Sequence, residues 1–462
     1  MTTRSTSFAS LPIPPTQISN LESLGYHNMT PIQAESLPPI LQGADLIARA
    51  KTGSGKTVAF GIGLLNNINP RFFGAQALVL CPTRELADQV GKEIRKLARY
   101  TANIKLVALC GGKPLRIQAA SLEHGAHIIV GTPGRIQDHL HRGTLNLDGL
   151  KTLVLDEADR MLDMGFIDEM RDIIAHTPNS RQTLLFSATY PDSIKKMSRQ
   201  FQHDPITVTV DAEHNTHVIQ QQFYQIKHSE RNQALLSLFA HYQPKTTVVF
   251  CHTKIQCSEV ADFLRQHNIG ALAIHGDLEQ YERDQVLVRF SNQSCSVLVA
   301  TDVAARGLDI KSLQAVINYE LPHDPEIYVH RIGRTGRAGA TGIALSLLTT
   351  NEQQRIDAIS DYQNSPCECA SIQTLTQHTD FTLQPDMMTI QLDSGRKNKL
   401  RPGDILGALT GDAGLTGKQI GKIDIFDIFS YVAIERNAIR QTLNYFAQGK
   451  IKGRNVRARK IS

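Results

Sequence analysis

Nowhere in its 462 residues does this chain hold the roughly 18 consecutive apolar residues that a membrane-spanning helix needs. Its first stretch, Met1–Pro15, has Ser, Thr and Pro where a signal peptide would need a continuous apolar segment. The expectation is a cytoplasmic protein with no membrane partner. Cysteine is sparse. The seven residues (Cys81, Cys110, Cys251, Cys257, Cys295, Cys367 and Cys369) are odd in number and scattered, most of them in apolar strand-like runs where buried free thiols are common. Cys367 and Cys369 make a CxC pair with no second pair to complete a zinc site. With 41% hydrophobic and 20% charged residues, the composition excludes a disordered chain. Nothing in it asks for an oligomer, so a monomer is expected.

What is present is a charge asymmetry and a repeated pattern. The net charge is +5, but residues 381–462 carry 14 Lys/Arg against 7 Asp/Glu, which leaves the remainder slightly acidic. A basic tail on a near-neutral body points to nucleic acid. From residue 45 onward, short β-branched apolar runs alternate with helix-length segments. Strands are expected at Asp45–Ala50, Leu78–Cys81, Lys105–Cys110, His127–Gly131, Thr152–Asp156 and Gln182–Ser187. The pattern pauses over the polar stretch His203–His228. It restarts at Thr247–Cys251, Ala271–His275, Ser296–Thr301, Ala315–Tyr319 and Gly342–Leu348. Alternation of this kind predicts βαβ units and parallel sheets covered on both faces. The expected division is an α/β domain over 1–210, a second over 217–365, a linker over 366–385 and a small α+β domain over 386–462.

Ala50-Lys51-Thr52-Gly53-Ser54-Gly55-Lys56-Thr57 follows a strand and precedes a helical run, which is the setting of a phosphate-binding P-loop; Ala50 stands where the pattern has its first glycine. Gly53 and Gly55 let backbone N–H groups of the loop, Ser54 included, turn inward around phosphates. Lys56 supplies positive charge, the Thr57 hydroxyl is placed for Mg²⁺, and the helix N-terminus adds its dipole. About 100 residues on, the buried-strand run Leu153-Val154-Leu155 ends in Asp156-Glu157-Ala158-Asp159. Asp156 is expected to hold Mg²⁺ with Thr57, and Glu157 to orient and deprotonate an attacking water. ATP and Mg²⁺ are therefore the expected cofactors.

Asp-Glu-Ala-Asp after a strand, with a P-loop upstream, resembles the DEAD-box RNA helicases, and the resemblance covers essentially the whole chain. It implies two tandem RecA-like domains. Gln33, in Met29-Thr30-Pro31-Ile32-Gln33, would read the adenine edge, and Phe8 matches the upstream aromatic of the same site. Pro82-Thr83-Arg84, Gly111-Gly112 and Thr132-Pro133-Gly134-Arg135 look like RNA-contacting loops, with Pro82, Thr83, Arg84, Gly112, Thr132, Gly134 and Arg135 as the residues concerned. Ser187 and Thr189 would couple hydrolysis to strand separation through Asp159 and His330. In the second domain Val248–Lys254, Gln280 with Arg283, and Thr301 would face RNA, while Asp309 would approach the ribose. In His330-Arg331-Ile332-Gly333-Arg334-Thr335-Gly336-Arg337, Arg334 and Arg337 would act as fingers on the γ-phosphate, completing a catalytic set with Lys56, Asp156 and Glu157.

The tail reads strand (Met388–Asp393), helix (Pro402–Thr410), strand (Ile420–Ile425), strand (Tyr431–Glu435), helix (Ala438–Ala447), strand (Asn455–Arg459). This is the βαββαβ order of an RRM-like domain. Its basic residues cluster at 396–401 and 450–454, with Lys397, Lys399, Lys452 and Arg454 expected on RNA. The usual aromatic signature is missing; Tyr431 is the one strand aromatic to consider, so base stacking on the sheet is doubtful. Arg401–Leu409 and Ile420–Ile423 resemble the tail of bacterial DEAD-box helicases associated with a hairpin of large-subunit rRNA. The expectation is an RNA-stimulated ATPase that opens short duplexes near 23S rRNA in precursors of the large ribosomal subunit. An ATP-gated RNA clamp or chaperone is the alternative. A DNA translocase is disfavoured by the RRM-like tail.

Overall fold

The computed structural model describes residues 6–50, 53–210, 219–305, 313–336, 341–376 and 381–461. These divide into two compact units, 6–210 and 219–461.

In the first unit, seven strands form one sheet: β1 (Leu46–Arg49), β2 (Ala77–Leu80), β3 (Leu106–Leu109), β4 (Ile128–Gly131), β5 (Thr152–Asp156), β6 (Gln182–Ser187) and β7 (Ile206–Thr209). They lie in the order β3-β4-β2-β5-β6-β1-β7, all pairs parallel. The period-two alternation of a strand sorts its side chains into two cores. Leu46, Ala48, Ala77, Val79, Val154, Leu184 and Phe186 go to one face. Ile47, Leu78, Leu80, Leu153, Leu155 and Leu185 go to the other. Both faces are dry, which is why these runs read as continuously apolar.

The second unit repeats the plan with β8 (Ile219–Gln225), β9 (Thr247–Phe250), β10 (Ala271–Ile274), β11 (Val297–Ala300), β12 (Ala315–Asn318), β13 (Gly342–Leu348) and β14 (Cys369–Ser371). Their order is β10-β11-β9-β12-β13-β8-β14. Three of these fourteen strands fall where the sequence pattern gives no strand. β7 and β8 lie in the polar pause, and β14 lies in the stretch read as a linker. β7 and β14 are edge strands whose outward residues are exposed, and β8 is rich in Gln (Ile219-Gln220-Gln221-Gln222-Phe223), so the apolar signal is absent.

The same unit carries the C-terminal antiparallel sheet: β15 (Met387–Leu392), β16 (Ile420–Ile425), β17 (Ser430–Glu435) and β20 (Ala458–Lys460), in the order β16-β17-β15-β20. A short hairpin, β18 (Lys450–Ile451) with β19 (Arg454–Asn455), precedes the last strand. The closing strand thus starts three residues later than the sequence reading placed it. Ile390, Leu392, Val432 and Ile434 pack against the helices on one face. The opposite face, which carries Thr389, Gln391 and Tyr431, lies against the helix Gln280–Ser291 and the turn after it. Tyr281 Oη donates to Gln391 Oε1 at 3.0 Å, Thr389 Oγ1 to Ser294 Oγ at 2.8 Å, and Lys422 Nζ to Ser291 Oγ at 2.6 Å.

Candidate nucleotide and nucleic-acid site

Apart from Phe8 and Gln33, which precede β1, every residue group singled out in the first unit lies at or follows the carboxyl end of a strand, where open α/β sheets place ligands. After β1 the chain enters the P-loop, whose Lys51 and Thr52 are outside the described residues. Gly53 (φ +87°) and Gly55 (φ +98°) both hold the left-handed backbone their residue type permits. Lys56 opens the helix Lys56–Asn66, is buried, and donates from Nζ to Ala50 O at 2.9 Å. That tether aims the ammonium along the loop. Thr57 is half-buried, and Ser54 Oγ is buried with no hydrogen-bond partner among the described residues.

Gln33 is 2% exposed, and its first partner is the P-loop: Nε2 donates to Gly55 O at 3.1 Å while Oε1 accepts from Thr30 N at 2.9 Å. Thr30 Oγ1 donates to Ser54 O at 2.7 Å. A carboxamide has two N–H groups and two acceptor positions, so one of each remains for a ligand. The Gln33–loop link is a contact the sequence reading missed. Its signal was the Thr30/Gln33 spacing of a capping box, which pins Gln33 at the first turn of the helix Pro31–Leu41. Phe8 is also buried, packed into the first unit's core with Leu11 and Met29.

At the end of β5, Asp156 and Glu157 are 3% and 8% exposed. Burial pushes the Asp156 carboxyl up to about 7, against the lowering pull of Lys56. Asp156 Oδ1 makes no hydrogen bond among the described residues. Glu157 sits at φ +52°, ψ +52°, left-handed for a non-glycine residue, as the N-cap of the helix Ala158–Asp163. Holding that conformation costs on the order of 1 kcal/mol and is typical of residues aimed by their surroundings. Asp159 receives three hydrogen bonds at one oxygen, each 3.2 Å: from Ala188 N, Thr189 N and Thr189 Oγ1. The expectation from the sequence is that the Ser187 and Thr189 hydroxyls serve Asp159 and His330. At Asp159 the structure supplies one hydroxyl and two amides, while Ser187 Oγ is buried with no hydrogen-bond partner among the described residues.

The three loops expected at RNA are wired to one another. Thr83 caps the helix Arg84–Leu97 by accepting from Leu86 N at 3.2 Å, which leaves its O–H able to donate. The Arg84 guanidinium lies over Gly111, where an added Cβ would meet its Nη2 at 2.7 Å. Gly112 has φ +78°. Pro82 leads into this turn from Cys81, and Cys81 N donates to Gly131 O at 2.9 Å. Thr132 is the N-cap of the helix Pro133–His141, and its amide donates to Leu109 O at 3.2 Å. Gly134 has open space where a Cβ would project, so its backbone can be approached closely. Arg135 turns to its neighbour loop and donates from Nη1 to Lys113 O at 2.9 Å.

In the second unit, Arg331 is 2% exposed and grips Asp302 with both forks, Nε to Oδ1 at 2.7 Å and Nη2 to Oδ2 at 2.8 Å. It also donates to Asn318 Oδ1 at 3.0 Å and Glu320 O at 2.7 Å and lies 4.9 Å from the Phe250 ring centroid. Its importance was not read from the sequence, although Tyr328, Arg331 and Ile332 mark one buried face of the helix Pro325–Ile332. Arg334 is half-buried just past that helix; Arg337 and Asp309 lie outside the described residues. His330 Nε2 is 3.9 Å from Glu326 Oε1. Thr301 Oγ1 accepts from Ala304 N at 3.4 Å, Gln280 Nε2 donates to Asp284 Oδ1 at 2.9 Å, and Arg283 Nη1 reaches His275 O at 3.4 Å.

In the C-terminal part, Lys397, Lys399 and Arg454 are exposed. Lys452 Nζ reaches Asp404 Oδ2 at 2.8 Å, so the basic hairpin 450–454 lies beside the start of the helix Pro402–Gly407, directly after the basic run 396–401. Tyr431 is fully buried, its ring edge-on to Phe426 and Phe429, and presents no surface for stacking.

Comparison with known proteins agrees along the whole length. Residues 30–197 match the DEAD/DEAH box helicase family, 230–339 the helicase conserved C-terminal domain, and 389–460 the DbpA RNA binding domain. The chain is 52% identical over 462 residues to the ATP-dependent RNA helicase DbpA of Escherichia coli K12, covering 98% of this chain and 99% of that protein. It is 44% identical over 355 residues to the DEAD-box ATP-dependent RNA helicase CshA of Bacillus cereus, covering 77% of this chain and 67% of the relative. Among solved structures it resembles Saccharomyces cerevisiae Dbp5 bound to RNA and ADP BeF3, with a TM-score of 0.72 and 29% identity over 80% of this chain and 96% of that one. With the P-loop, the buried Asp156-Glu157 pair and these matches in place, the chain belongs to the DEAD-box ATP-dependent RNA helicases.

Proposed function

We propose that this helicase opens short RNA duplexes locally, and that its C-terminal domain directs it to a hairpin of 23S rRNA in precursors of the large ribosomal subunit, where it works as a cytoplasmic monomer. The observation that carries the reading is that one chain holds a tethered, buried Lys56, the buried Asp156-Glu157 pair and a basic, non-stacking C-terminal surface. Lys56, Asp156 and Glu157 stand in the first unit and Arg334 in the second. Lys56 would neutralise phosphate charge from its tether on Ala50 O. Glu157, set by its left-handed backbone, would align the attacking water and take its proton.

Mg²⁺ fits the donor set, because Asp156 offers a buried oxygen without a partner among the described residues and Thr57 a half-buried hydroxyl. When bound it would neutralise developing charge on the phosphates. Gln33 would answer adenine through its one free N–H and one free acceptor position, and Ser187 and Thr189 would report hydrolysis through Asp159. Contacts from Arg84, Gly112, Thr132, Gly134, Arg283 and Thr301 are suited to sugar and phosphate, so the core would prefer RNA with little sequence reading. Targeting then falls to Lys397, Lys399, Lys452 and Arg454.

The test is ATP hydrolysis by the full chain with a 23S rRNA fragment carrying the hairpin, against an unrelated RNA of equal length, with Glu157→Gln as background. Selective stimulation by the rRNA fragment, together with release of a short strand annealed beside the hairpin, is the expected result. Equal stimulation by both RNAs removes the targeting role. ATP-dependent binding without strand release replaces unwinding with clamping.

A further inference from the structure

Gln118 lies in the helix Leu115–Leu122, outside every loop assigned above. Its side chain is 4% exposed, and both of its polar atoms are engaged. Nε2 donates to Cys110 O at 2.7 Å, and Oε1 accepts from Arg135 Nη1 at 2.8 Å. The same oxygen lies 3.1 Å from Nε2 of His139, which is itself completely buried.

Chemistry settles the proton on that imidazole. A carboxamide oxygen only accepts, so His139 carries its hydrogen on Nε2, and Nδ1 accepts from the Thr144 hydroxyl at 2.7 Å. Both polar atoms of the Gln118 side chain are engaged, Oε1 twice, and both ring nitrogens of His139 have a partner. The alternative, a buried amide that merely fills space, would not need three partners drawn from two chain segments, the turn after β3 and the helix Pro133–His141.

Those partners are informative. Cys110 is the residue before Gly111-Gly112, and Arg135 ends the Thr132–Arg135 loop. Because Arg135 Nη1 also donates to Lys113 O, the two loops are bridged twice, once directly and once through Gln118. Fixed donors spaced to successive phosphates gain from such bracing, since a loop that must be ordered on binding spends affinity doing so.

We propose that Gln118, seated on His139, is a positioning residue that holds the 111–113 and 132–135 loops in one register for the RNA backbone. It touches no ligand itself. The inference rests on these loops facing RNA.

The test measures ATP hydrolysis of the full chain against RNA concentration for Gln118→Leu and Gln118→Glu, with Arg84→Ala alongside. Leu keeps the bulk and removes every hydrogen bond. Glu still accepts from Arg135 and His139 but cannot, when ionised, donate to Cys110 O. Gln118→Leu is expected to raise the half-saturating RNA concentration about tenfold, with the rate at saturating RNA and the KM for ATP within twofold of the parent; Gln118→Glu should give a smaller rise in the same direction. An unchanged half-saturation point, or parallel loss of rate and ATP binding, overturns the proposal. Should Gln118→Leu fail to fold, Gln118→Glu decides on the same criterion. If Arg84→Ala also leaves half-saturation unchanged, the RNA-facing assignment of the loops has failed; if Arg84→Ala shifts it and the Gln118 variants do not, only the positioning role has.

Discussion

The two seven-stranded sheets are the same object twice: adding seven to each strand number of the first order gives the second. What differs is which strand ends carry chemistry. β2 and β9 are both followed by a buried cysteine and then a threonine, Thr83 or Thr253, that caps the next helix at 3.2 Å. The next residue, Arg84 or Lys254, reaches across to the loop after β3 or β10; the first covers Gly111 and the second pairs with Asp277 at 2.8 Å. Gln118 and Arg283, each on the helix that follows, donate to the carbonyl ending those strands, Cys110 O and His275 O. The P-loop, by contrast, follows β1 only, and β8 runs into Ile226-Lys227 instead. The repeated ends are those expected at RNA, and the unrepeated ones are those expected at ATP. A backbone track can be built twice by one architecture, whereas one nucleotide needs one cradle.

The sharpest way to break this comparison is at β5 and β12. By strand register Glu157 corresponds to Glu320, the residue two after Asn318. Glu320 accepts from His252 N at 3.1 Å, a structural task. Glu157→Gln is expected to lower RNA-stimulated hydrolysis at least a thousandfold with nucleotide binding retained, on the scale of losing an essential base. Glu320→Gln should stay within a fewfold. A collapse of steady-state hydrolysis in both would mean that the second sheet contributes more than a scaffold at this end.

Next in size is Gly55→Ala. At φ +98° an alanine is strained by roughly 1–2 kcal/mol, and its Cβ would collide with the Gln33 amide. Nucleotide affinity, followed with a fluorescent ATP analogue, should fall more than tenfold, while RNA binding without nucleotide is retained. Gly276→Ala, in the loop after β10 with open space around the added carbon, should change neither.

The loops could be read from the sequence because their chemistry is local. Gly53, Gly55 and Lys56 in one octapeptide, or Asp156-Glu157 at the end of an apolar run, declare themselves without partners. The strands of both sheet centres were equally legible, since burial on both faces leaves an uninterrupted apolar run. β7, β8 and β14 were not, because edge or glutamine-rich strands take their stability from backbone pairing that leaves no side-chain signal. Long-range hydrogen bonds escaped for a different reason. Gln33 on Gly55 O, Arg331 on Asp302 and Gln118 on His139 join residues that only the fold brings together, and a lone Gln or Arg in a helix carries no mark of its partner.

The smallest expected effect concerns pH, and it sets the two halves side by side. His139 in the first unit and His252 in the second are both held below the ordinary histidine value. Burial is the first cause in each. Arg135 adds to it for His139, while Glu320 opposes it for His252. A base whose affinity for a proton is lowered by folding is neutral in the native chain and takes up a proton on unfolding at about pH 6.5 and below. The unfolded state then binds more protons, so stability is whole above that value and is lost as pH falls beneath it. Amide hydrogen exchange at pH 7.5 and 5.5, corrected for intrinsic rates, should show protection falling at the lower pH in segments 110–144 and 247–260. His139→Gln should remove the pH dependence from the first segment alone. If the second segment changes with it, the two halves share one stability, and the repeated architecture behaves as a single folding unit.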